Sequence, residues 1–267
     1  MKRITSLFFF LGVILLVNAQ QNMDLYLLIG QSNMAGRGDI DDEPLNLENI
    51  YMMDKNDQWV QAHEPIHFDK AAAGAGLAAT FAMEVRGQDR VIGLIPCAIG
   101  GSRIELWVPE AFDKGTGFMP YDDAIRRTKE ALKRGNLKAI LWHQGESNSS
   151  RNRYNEYEEK FEALLANLSR DLSIDIDTIP VITGELGHFF VTKGSLDDNK
   201  GLYINSTHHR LAQKKINRYC VSSAGLTHRG DQTHFDTPSL RELGKRYAEA
   251  YKIVKERLSK YIVSDNK

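Results

Sequence analysis

Three polar residues of this chain have side chains suited to nucleophilic acyl transfer: Ser32, Asp231 and His234. A serine hydroxyl becomes a nucleophile when a histidine takes its proton, and a carboxylate then holds the histidine ring in the correct tautomer. Asp231 stands three residues before His234, so one turn of chain lets the carboxylate reach Nδ1 of the ring. The spacing favours a catalytic pair, although a surface turn in which the aspartate caps backbone amides has the same pattern.

The residues around Ser32 suit a nucleophile. Ser32 comes two residues after an apolar run, and Gly30 permits the tight turn that would lift a hydroxyl out of a strand end. Serine is also a common N-cap residue at the start of a helix. From spacing alone, the nucleophile and the helix cap are equally good interpretations.

Candidate stabilisers of a developing oxyanion follow two other apolar runs. Glycine lets a backbone N–H approach a reacting carbonyl closely, which makes Gly101 a candidate donor. Gln144 offers a side-chain amide donor, and Glu146 offers a carboxylate that orients either a histidine or its own loop. A turn and a hydrogen-bonded loop that only shape the site remain the alternatives.

Four residues are candidate substrate contacts: Gln31, Asn33, Arg103 and Trp107. The first two flank Ser32, and the other two closely follow the glycines at 100 and 101. An arginine and a tryptophan are suited to lining a sugar subsite, but buried packing explains them equally well.

Positioning these residues requires a regular framework, and short apolar runs supply it. Five runs read as strands covered on both faces: Asp24–Ile29, Val91–Ile95, Lys138–Trp142, Ile179–Thr183 and Tyr219–Ser222. Helical patterns lie between or after them: Leu77–Arg86, Asp122–Arg134, Tyr154–Leu168, Leu202–Ile216 and Pro238–Tyr261. This alternation predicts a three-layer α/β/α sandwich around a five-stranded parallel sheet. Chemistry collects beyond the carboxyl ends of such strands, which is where the candidates stand.

The sequence predicts one domain over residues 20–267, preceded by a signal peptide over residues 1–19. A basic start is followed by an unbroken apolar run from Leu7 to Val17, which is shorter than the roughly 20 residues that a transmembrane helix needs. Cleavage is expected after Ala19, giving a secreted or periplasmic protein; an uncleaved anchor is the alternative. Residues Asp39–Asp69 are predicted to be an irregular excursion near the mouth of the site.

Composition excludes several classes of protein. The 34 Lys and Arg residues balance 35 Asp and Glu residues, which argues against a nucleic-acid partner. Beyond the leader, no stretch is apolar enough to suggest a membrane span. Two cysteines, Cys97 and Cys220, are too few for a disulfide scaffold; free thiols are slightly favoured over one disulfide.

Four blocks of sequence together resemble the signature blocks of SGNH/GDSL hydrolases. They are Gly-Gln-Ser-Asn-Met-Ala-Gly-Arg-Gly at 30–38, Ile-Gly-Gly-Ser at 99–102, His-Gln-Gly-Glu-Ser-Asn at 143–148 and Asp-Gln-Thr-His-Phe at 231–235. They are similar to the branch that holds carbohydrate esterase family six and the sialate O-acetylesterase domains. The blocks occur in the expected order over nearly the whole chain that follows the leader.

This resemblance implies a flavodoxin-like sandwich that hydrolyses acetyl esters of sugars without a metal or other cofactor. It implies Ser32 as nucleophile, His234 as base and Asp231 as partner, with the N–H groups of Ser32 and Gly101 in the oxyanion hole. The third block departs from the Gly-x-Asn-Asp pattern of the wider superfamily, whose Asn side chain completes the oxyanion hole, and Gln144 is the residue expected to take that function. In some relatives the glutamate at the position of Glu146 belongs to the triad, so Glu146 competes with Asp231 for the orienting role.

The expected function is that of a secreted serine-type O-acetylesterase, with acetyl xylan or its oligosaccharides as first choice and O-acetyl sialic acid as second. Two rivals from other classes are a non-catalytic sugar-binding protein and a metal-dependent hydrolase that uses His208, His209, Asp231, His234 and Asp236. Adjacent histidines on a helix point about 100° apart, which disfavours joint chelation by the first two. The sequence indicates no oligomeric state.

Overall fold

The structure is a computed structural model that describes residues 22–265, apart from 88–89 and 196. The predicted signal peptide therefore lies outside the described residues. Seven strands form one sheet in the order β3-β2-β4-β1-β5-β6-β7. In chain order they are β1 Met23–Gly30, β2 Ile50–Met53, β3 Trp59–Gln61, β4 Ile92–Pro96, β5 Gly135–His143, β6 Val181–Gly184 and β7 Arg218–Val221.

Five of these strands confirm the predicted parallel sheet. β1 pairs with β4 and β5, and β6 pairs with β5 and β7, in each case in parallel. The prediction of five strands in all was wrong, because residues 39–69 contribute two more. β2 adds to β4 in parallel, and β3 folds back against β2 as an antiparallel edge.

Seven α-helices accompany the sheet in the described part of the chain. They are α1 Ser32–Ala35, α2 Leu77–Val85, α3 Pro120–Ala131, α4 Tyr157–Leu172, α5 His188–Val191, α6 Gly201–Lys214 and α7 Thr237–Asp265. The five longer helices match the predicted ones. No helix among the described residues is both long enough and apolar enough to cross a membrane.

Two hydrophobic cores make the protein a three-layer sandwich, as predicted. All eight residues of β1 are buried, and successive side chains alternate between the two faces of the sheet. Tyr26 and Leu28 pack with α2 and α7, whereas Leu25 and Leu27 pack with α3, α4 and α6. The central strand is therefore covered on both faces, which explains why its sequence is an unbroken apolar run.

The two cysteines lie buried at strand ends as free thiols. Burial raises the pKa of Cys97 and of Cys220 to about 12. Both thiols therefore stay protonated at neutral pH, and they pack as small apolar side chains.

Candidate active site

Ser32 lies at the carboxyl end of the central strand, at the start of the four-residue helix α1. The turn before it requires glycine: Gly30 has φ of +130°, and a Cβ there would lie 2.2 Å from the carbonyl oxygen of His143. The backbone N–H of Gln31 donates to that same carbonyl at 2.9 Å. Close packing of β1 against β5 thus fixes where Ser32 emerges from the sheet.

His234 approaches Ser32 from the loop between β7 and α7. Its Nε2 lies 2.9 Å from Oγ of Ser32, and its Nδ1 lies 2.7 Å from Oδ2 of Asp231. The three side chains that the sequence singled out therefore form one continuous chain of hydrogen bonds. In this arrangement Nε2 accepts the serine proton while Nδ1–H donates to the carboxylate.

The turn that carries His234 also fixes Asp231. Oδ1 of Asp231 accepts the backbone N–H groups of Thr233 and His234, each at 2.8 Å. Burial raises the pKa of Asp231, but hydrogen bonds from the His234 backbone and ring and from Thr233 outweigh it and lower the pKa to about 2. The carboxylate is therefore ionised at neutral pH, as support for an imidazolium requires.

Glu146 has a different environment, and among the described residues it forms no hydrogen bond with His234. Its Oε1 accepts a hydrogen bond from Asn33 at 2.5 Å, and its Oε2 is buried with no hydrogen-bond partner among the described residues. Burial raises the pKa of Glu146 to about 7, although hydrogen bonds from its own backbone and from Asn33 oppose the rise. The geometry thus places Asp231, and not Glu146, at Nδ1 of His234.

The structure corrects the assignment of Asn33 as a substrate contact. The Asn33 side chain is buried, and besides Glu146 its amide nitrogen donates to the carbonyl of Thr233 at 3.1 Å. Its Oδ1 accepts the backbone N–H of Phe235 at 3.2 Å. Asn33 therefore holds in place the two residues that flank His234. Both polar atoms of its side chain already have partners within the protein, so neither is left for a substrate.

Gln144 is also corrected, because it does not face the reacting centre. The side chain is fully buried, and Nε2 donates to Oε1 of Gln31 at 3.1 Å, to the Ser102 carbonyl at 3.1 Å and to Oδ1 of Asn148 at 2.7 Å. With three acceptors around it, this amide has no N–H left for an oxyanion. It joins three of the loops that form the floor of the site.

Gln31, unlike Gln144, lines the cavity above Ser32. Its Oε1 accepts from Gln144 and from the backbone N–H of Ser147 at 3.3 Å. These two donors hold Oε1 of Gln31 toward the protein interior. The amide nitrogen of Gln31 is then directed to the cavity that this residue lines. The backbone N–H groups of Ser32 and Gly101 have no acceptor among the described residues, and Gly101 has φ of +81°. Three donors thus remain for a developing oxyanion.

Trp107 and Arg103 do not line this cavity. The Trp107 side chain is fully buried, donates from Nε1 to Oγ of Ser102 at 3.1 Å, and packs edge-to-face on Trp142. The prediction of a sugar contact was therefore wrong, and the alternative of buried packing holds. Arg103 is half-buried and is absent from the described residues that line the cavity.

The cavity above Ser32 has a volume of about 370 Å³ and includes residues that the sequence did not single out. Its described lining consists of Gln31, Ser32, Arg37, Lys70, Gly100, Gly101, Glu146, Ser147, Phe190, Thr233 and His234. Arg37 forms a buried ion pair with Asp69 at 2.6 Å, and Asp69 also accepts the N–H of Gly100 at 2.7 Å. Lys70 donates to the Gly100 carbonyl at 2.7 Å. Arg37 stands in the first signature block, whereas no sequence pattern marked Lys70.

The histidines proposed for a metal site serve separate purposes. His208 is buried, with Nδ1 2.9 Å from the Gly184 carbonyl and Nε2 3.0 Å from the hydroxyl of Tyr157. His209 instead pairs with Glu185 at 2.6 Å. Within the described ranges, no three His, Cys, Asp or Glu side chains converge as ligands. The donor set does not fit a catalytic metal, because the ring nitrogens of His208 and His234 already have protein partners.

Comparisons with known proteins agree with this architecture. A family model described as carbohydrate esterase, sialic acid-specific acetylesterase, matches residues 22–253. The chain is 31% identical over 254 residues to a probable carbohydrate esterase of Arabidopsis thaliana, covering 85% of this chain and 89% of the relative. An X-ray structure of an Arabidopsis thaliana protein superposes with a TM-score of 0.73 at 28% identity, covering 87% of this chain and 98% of that one.

Two more distant structures share the fold. A carbohydrate acetylesterase from Xanthomonas citri superposes with a TM-score of 0.68 at 19% identity, covering 87% of this chain and 57% of that one. The structure of NanS gives a TM-score of 0.65 at 16% identity, covering 87% of this chain and 97% of that one.

Proposed function

We propose that this chain, which belongs to the carbohydrate esterase family described as sialic acid-specific acetylesterases, removes O-acetyl groups from sugars with Ser32 as nucleophile. One observation carries the proposal: the Ser32–His234–Asp231 chain of hydrogen bonds reaches the cavity that the oxyanion donors also face. A sugar-binding protein without catalysis has no need of a serine joined to a histidine and an ionised aspartate.

The geometry supports a two-step reaction. Oγ of Ser32 attacks the acetyl carbonyl as Nε2 of His234 takes its proton, and Asp231 stabilises the imidazolium that forms. The negative charge of the tetrahedral intermediate faces the N–H groups of Ser32 and Gly101 and the amide of Gln31. His234 then returns the proton to the departing sugar hydroxyl, leaving an acetyl group on Ser32. A water molecule, deprotonated by His234, releases acetate and restores the serine.

The preferred substrate is acetylated xylan or its oligosaccharides, and the alternative is O-acetyl sialic acid. The cavity is open to solvent, so the acetyl group of a larger glycan can enter while the rest of the sugar stays outside. One observation favours the alternative. Lys70 places an ammonium group on the cavity wall, where it suits a sugar that carries a carboxylate.

We also propose that the protein acts outside the cytoplasm, as a secreted or periplasmic enzyme. Support comes from the basic start and short apolar run of the leader, with cleavage after Ala19. N-terminal sequencing of protein recovered from the producing cells tests this proposal. A mature chain that begins at Gln20 supports it, and a chain that retains the leader contradicts it.

Acetate release from a panel of substrates tests the activity. The panel contains 4-nitrophenyl acetate, acetylated xylan, acetylated pectin and O-acetyl sialic acid, and the wild type is compared with Ser32→Ala. The variant should lose activity by several orders of magnitude, because the residual rate comes only from binding and the oxyanion donors. A folded variant with activity near that of the wild type would refute the nucleophile assignment.

A further inference from the structure

An exposed group of apolar side chains lies outside the catalytic cavity and has no part in the mechanism above. Phe112, Phe118 and Met119 are 51%, 44% and 42% exposed, and we call these three residues the apolar ledge. They line a shallow depression of about 430 Å³ together with Gly117, Asp122, Asp123 and Arg126. Large apolar side chains grouped in this way on a surface commonly mark a binding site.

The loop that carries the apolar ledge is rigidly built. The backbone N–H of Asp113 donates to the Phe118 carbonyl at 2.8 Å, and the N–H of Gly117 donates to the Asp113 carbonyl at 2.8 Å. The Asp113 carboxylate also accepts from the N–H of Gly115 at 3.0 Å and from the Thr116 hydroxyl at 2.8 Å. These bonds fix the backbone of the loop on which Phe112 and Phe118 lie, so binding there costs little ordering of the loop.

The apolar ledge stands at the same edge of the sheet as Ser32. Its loop leaves the carboxyl end of β4, whose following residues include Gly101 of the cavity, and it leads directly into the first turn of α3. In a parallel sheet flanked by helices, strand ends and the starts of the following helices lie at one edge. Thus the apolar ledge and the catalytic cavity face the same side of the protein.

The segment that contains Lys70 is also connected to the side of the depression by side-chain contacts. Lys70 lines the cavity, and Phe68, two residues earlier, is exposed and stacks under the guanidinium of Arg127 at 4.9 Å. Arg127 pairs with Asp57 at 2.7 Å, and Asp57 also pairs with Arg126 at the apolar ledge. Phe68 is therefore connected to the side of the depression through Arg127, Asp57 and Arg126.

The charges around Asp113 also indicate that the ledge loop lies near the cavity. The pKa of Asp113 is lowered, first by the hydrogen bond from Thr116, against some desolvation, and further by the nearby charges of Lys70 and Arg103. A carboxylate of the ledge loop therefore experiences the same ammonium group that lines the catalytic cavity.

We propose that the apolar ledge binds sugar units of a polysaccharide chain whose acetylated unit occupies the catalytic cavity. A pyranose ring has C–H faces that pack on aromatic rings and hydroxyls that bond to carboxylates and guanidinium groups. The depression has groups of both kinds in its lining. Phe112 and Phe118 provide the rings, and the charged groups belong to Asp122, Asp123 and Arg126. This inference rests on the proposed function and deepens it: the preferred substrate is a polymer, such as acetylated xylan, and not a single sugar.

The test compares a polymeric substrate with a small one in the double variant Phe112→Ala/Phe118→Ala. We expect kcat/KM on acetylated xylan to fall about tenfold, mainly through KM, because two stacking rings are lost. On 4-nitrophenyl acetate, which does not reach the ledge, kcat/KM should stay within about twofold of the wild type. If the double variant expresses poorly, the single variant Phe112→Ala replaces it. Its loss of kcat/KM on the polymer should be intermediate.

A matched control removes an exposed apolar side chain at the opposite edge of the sheet. Ile216 is 44% exposed and precedes β7, so Ile216→Ala should leave both substrates unaffected. Equal losses on the polymer and the small ester, or no loss on any acetylated xylan, pectin or mannan that the wild type deacetylates, would overturn the proposal. So would a wild-type dimer in sedimentation that the double variant converts to monomer, because the ledge would then join two copies.

The same measurements separate this inference from the esterase assignment. A wild type that cleaves 4-nitrophenyl acetate but none of the polymers contradicts the polysaccharide site and leaves the esterase function standing. A wild type that is inactive on every ester contradicts the proposed function itself.

Discussion

The side-chain amide of Asn33 donates a hydrogen bond to the buried carboxyl group of Glu146. The same nitrogen donates to the carbonyl of Thr233, the residue before His234. Glu146 therefore bears on His234 indirectly, through the loop that Asn33 braces, whereas Asp231 contacts the ring itself. This arrangement assigns different functions to the two acidic residues, and the first two predictions separate them.

Loss of Asp231 should affect catalysis far more than loss of Glu146. Asp231→Asn removes the acceptor that fixes the His234 tautomer, and we expect kcat to fall by about 10³- to 10⁴-fold. Glu146→Gln keeps an oxygen for Asn33 and should lower kcat by about tenfold at most. Parallel measurement of kcat on 4-nitrophenyl acetate decides between them, and a larger loss for Glu146→Gln would reverse the assignment.

Glu146 should make the stability of the fold depend on pH. Its pKa is raised from 4.5 to about 7 when folded, so the folded protein holds this proton more tightly than the unfolded chain does. The resulting stabilisation is complete below pH 4.5 and is lost as the pH rises through 7. Glu146→Gln lacks this dependence.

Urea unfolding of both proteins at a series of pH values measures this effect. The free energy of unfolding of the variant relative to the wild type should rise by up to about 3 kcal/mol between pH 4.5 and 8. A difference that stays constant over this range would show that the Glu146 carboxyl group has the same pKa in the folded protein as in the unfolded chain.

Gly30→Ala should disrupt the fold at the point where Ser32 emerges. The new Cβ would lie 2.2 Å from the His143 carbonyl, and φ of +130° is unfavourable for alanine. We expect a loss of about 3 kcal/mol or more in the free energy of unfolding, with esterase activity lost in parallel. Gly115→Ala is the matched control, because its nearest neighbour lies 3.4 Å away in ordinary contact. Similar stabilities for the two variants would contradict the prediction.

Trp107 should affect stability and leave substrate binding unchanged. Trp107→Phe removes the hydrogen bond to Ser102 and should cost about 1 kcal/mol, whereas Trp107→Ala leaves a large cavity and should cost about 3–5 kcal/mol. KM of Trp107→Phe on acetylated xylan should match that of the wild type. A raised KM with normal thermal stability would instead support the sugar contact that the sequence suggested.

Chelators should not affect activity. His234 uses Nε2 for Ser32 and Nδ1 for Asp231, so neither nitrogen is free to bind a metal in the arrangement that the mechanism needs. Dialysis against EDTA, followed by assay on 4-nitrophenyl acetate with and without added Zn²⁺, tests this expectation. Loss of activity on dialysis that Zn²⁺ restores would favour a metal-dependent hydrolase.

The sequence predicts best those features that depend on local pattern. Buried strands such as β1 must be apolar on both faces, so five of the seven strands were visible as unbroken runs. β2 and β3 have four and three residues, too few for a run or an alternation to stand out. The loop containing Asp231 and His234 was also readable, because their contact lies within one turn.

The direction of a side chain could not be read from the sequence. Gln31 and Gln144 are both glutamines that follow strands, yet tertiary packing directs one amide to the cavity and surrounds the other with acceptors. A tryptophan ring is suited to packing on a sugar, but Trp107 is buried because its ring fills the space beside Trp142. Lys70 lies in a stretch without any pattern, and only the fold brings it to Gly100.

The hydrogen bond between Ser32 and His234 joins residues that are 202 positions apart, one just after the central strand and the other just before the last helix. A ribosome therefore synthesises most of the domain before the base exists, and a chain that stops before Asp231 carries the nucleophile without its histidine or aspartate. Turnover of an ester consequently reports completed folding more directly than helix content does, because helices form locally and this contact does not. The recovery of activity after denaturation measures how fast the two ends of the domain come together.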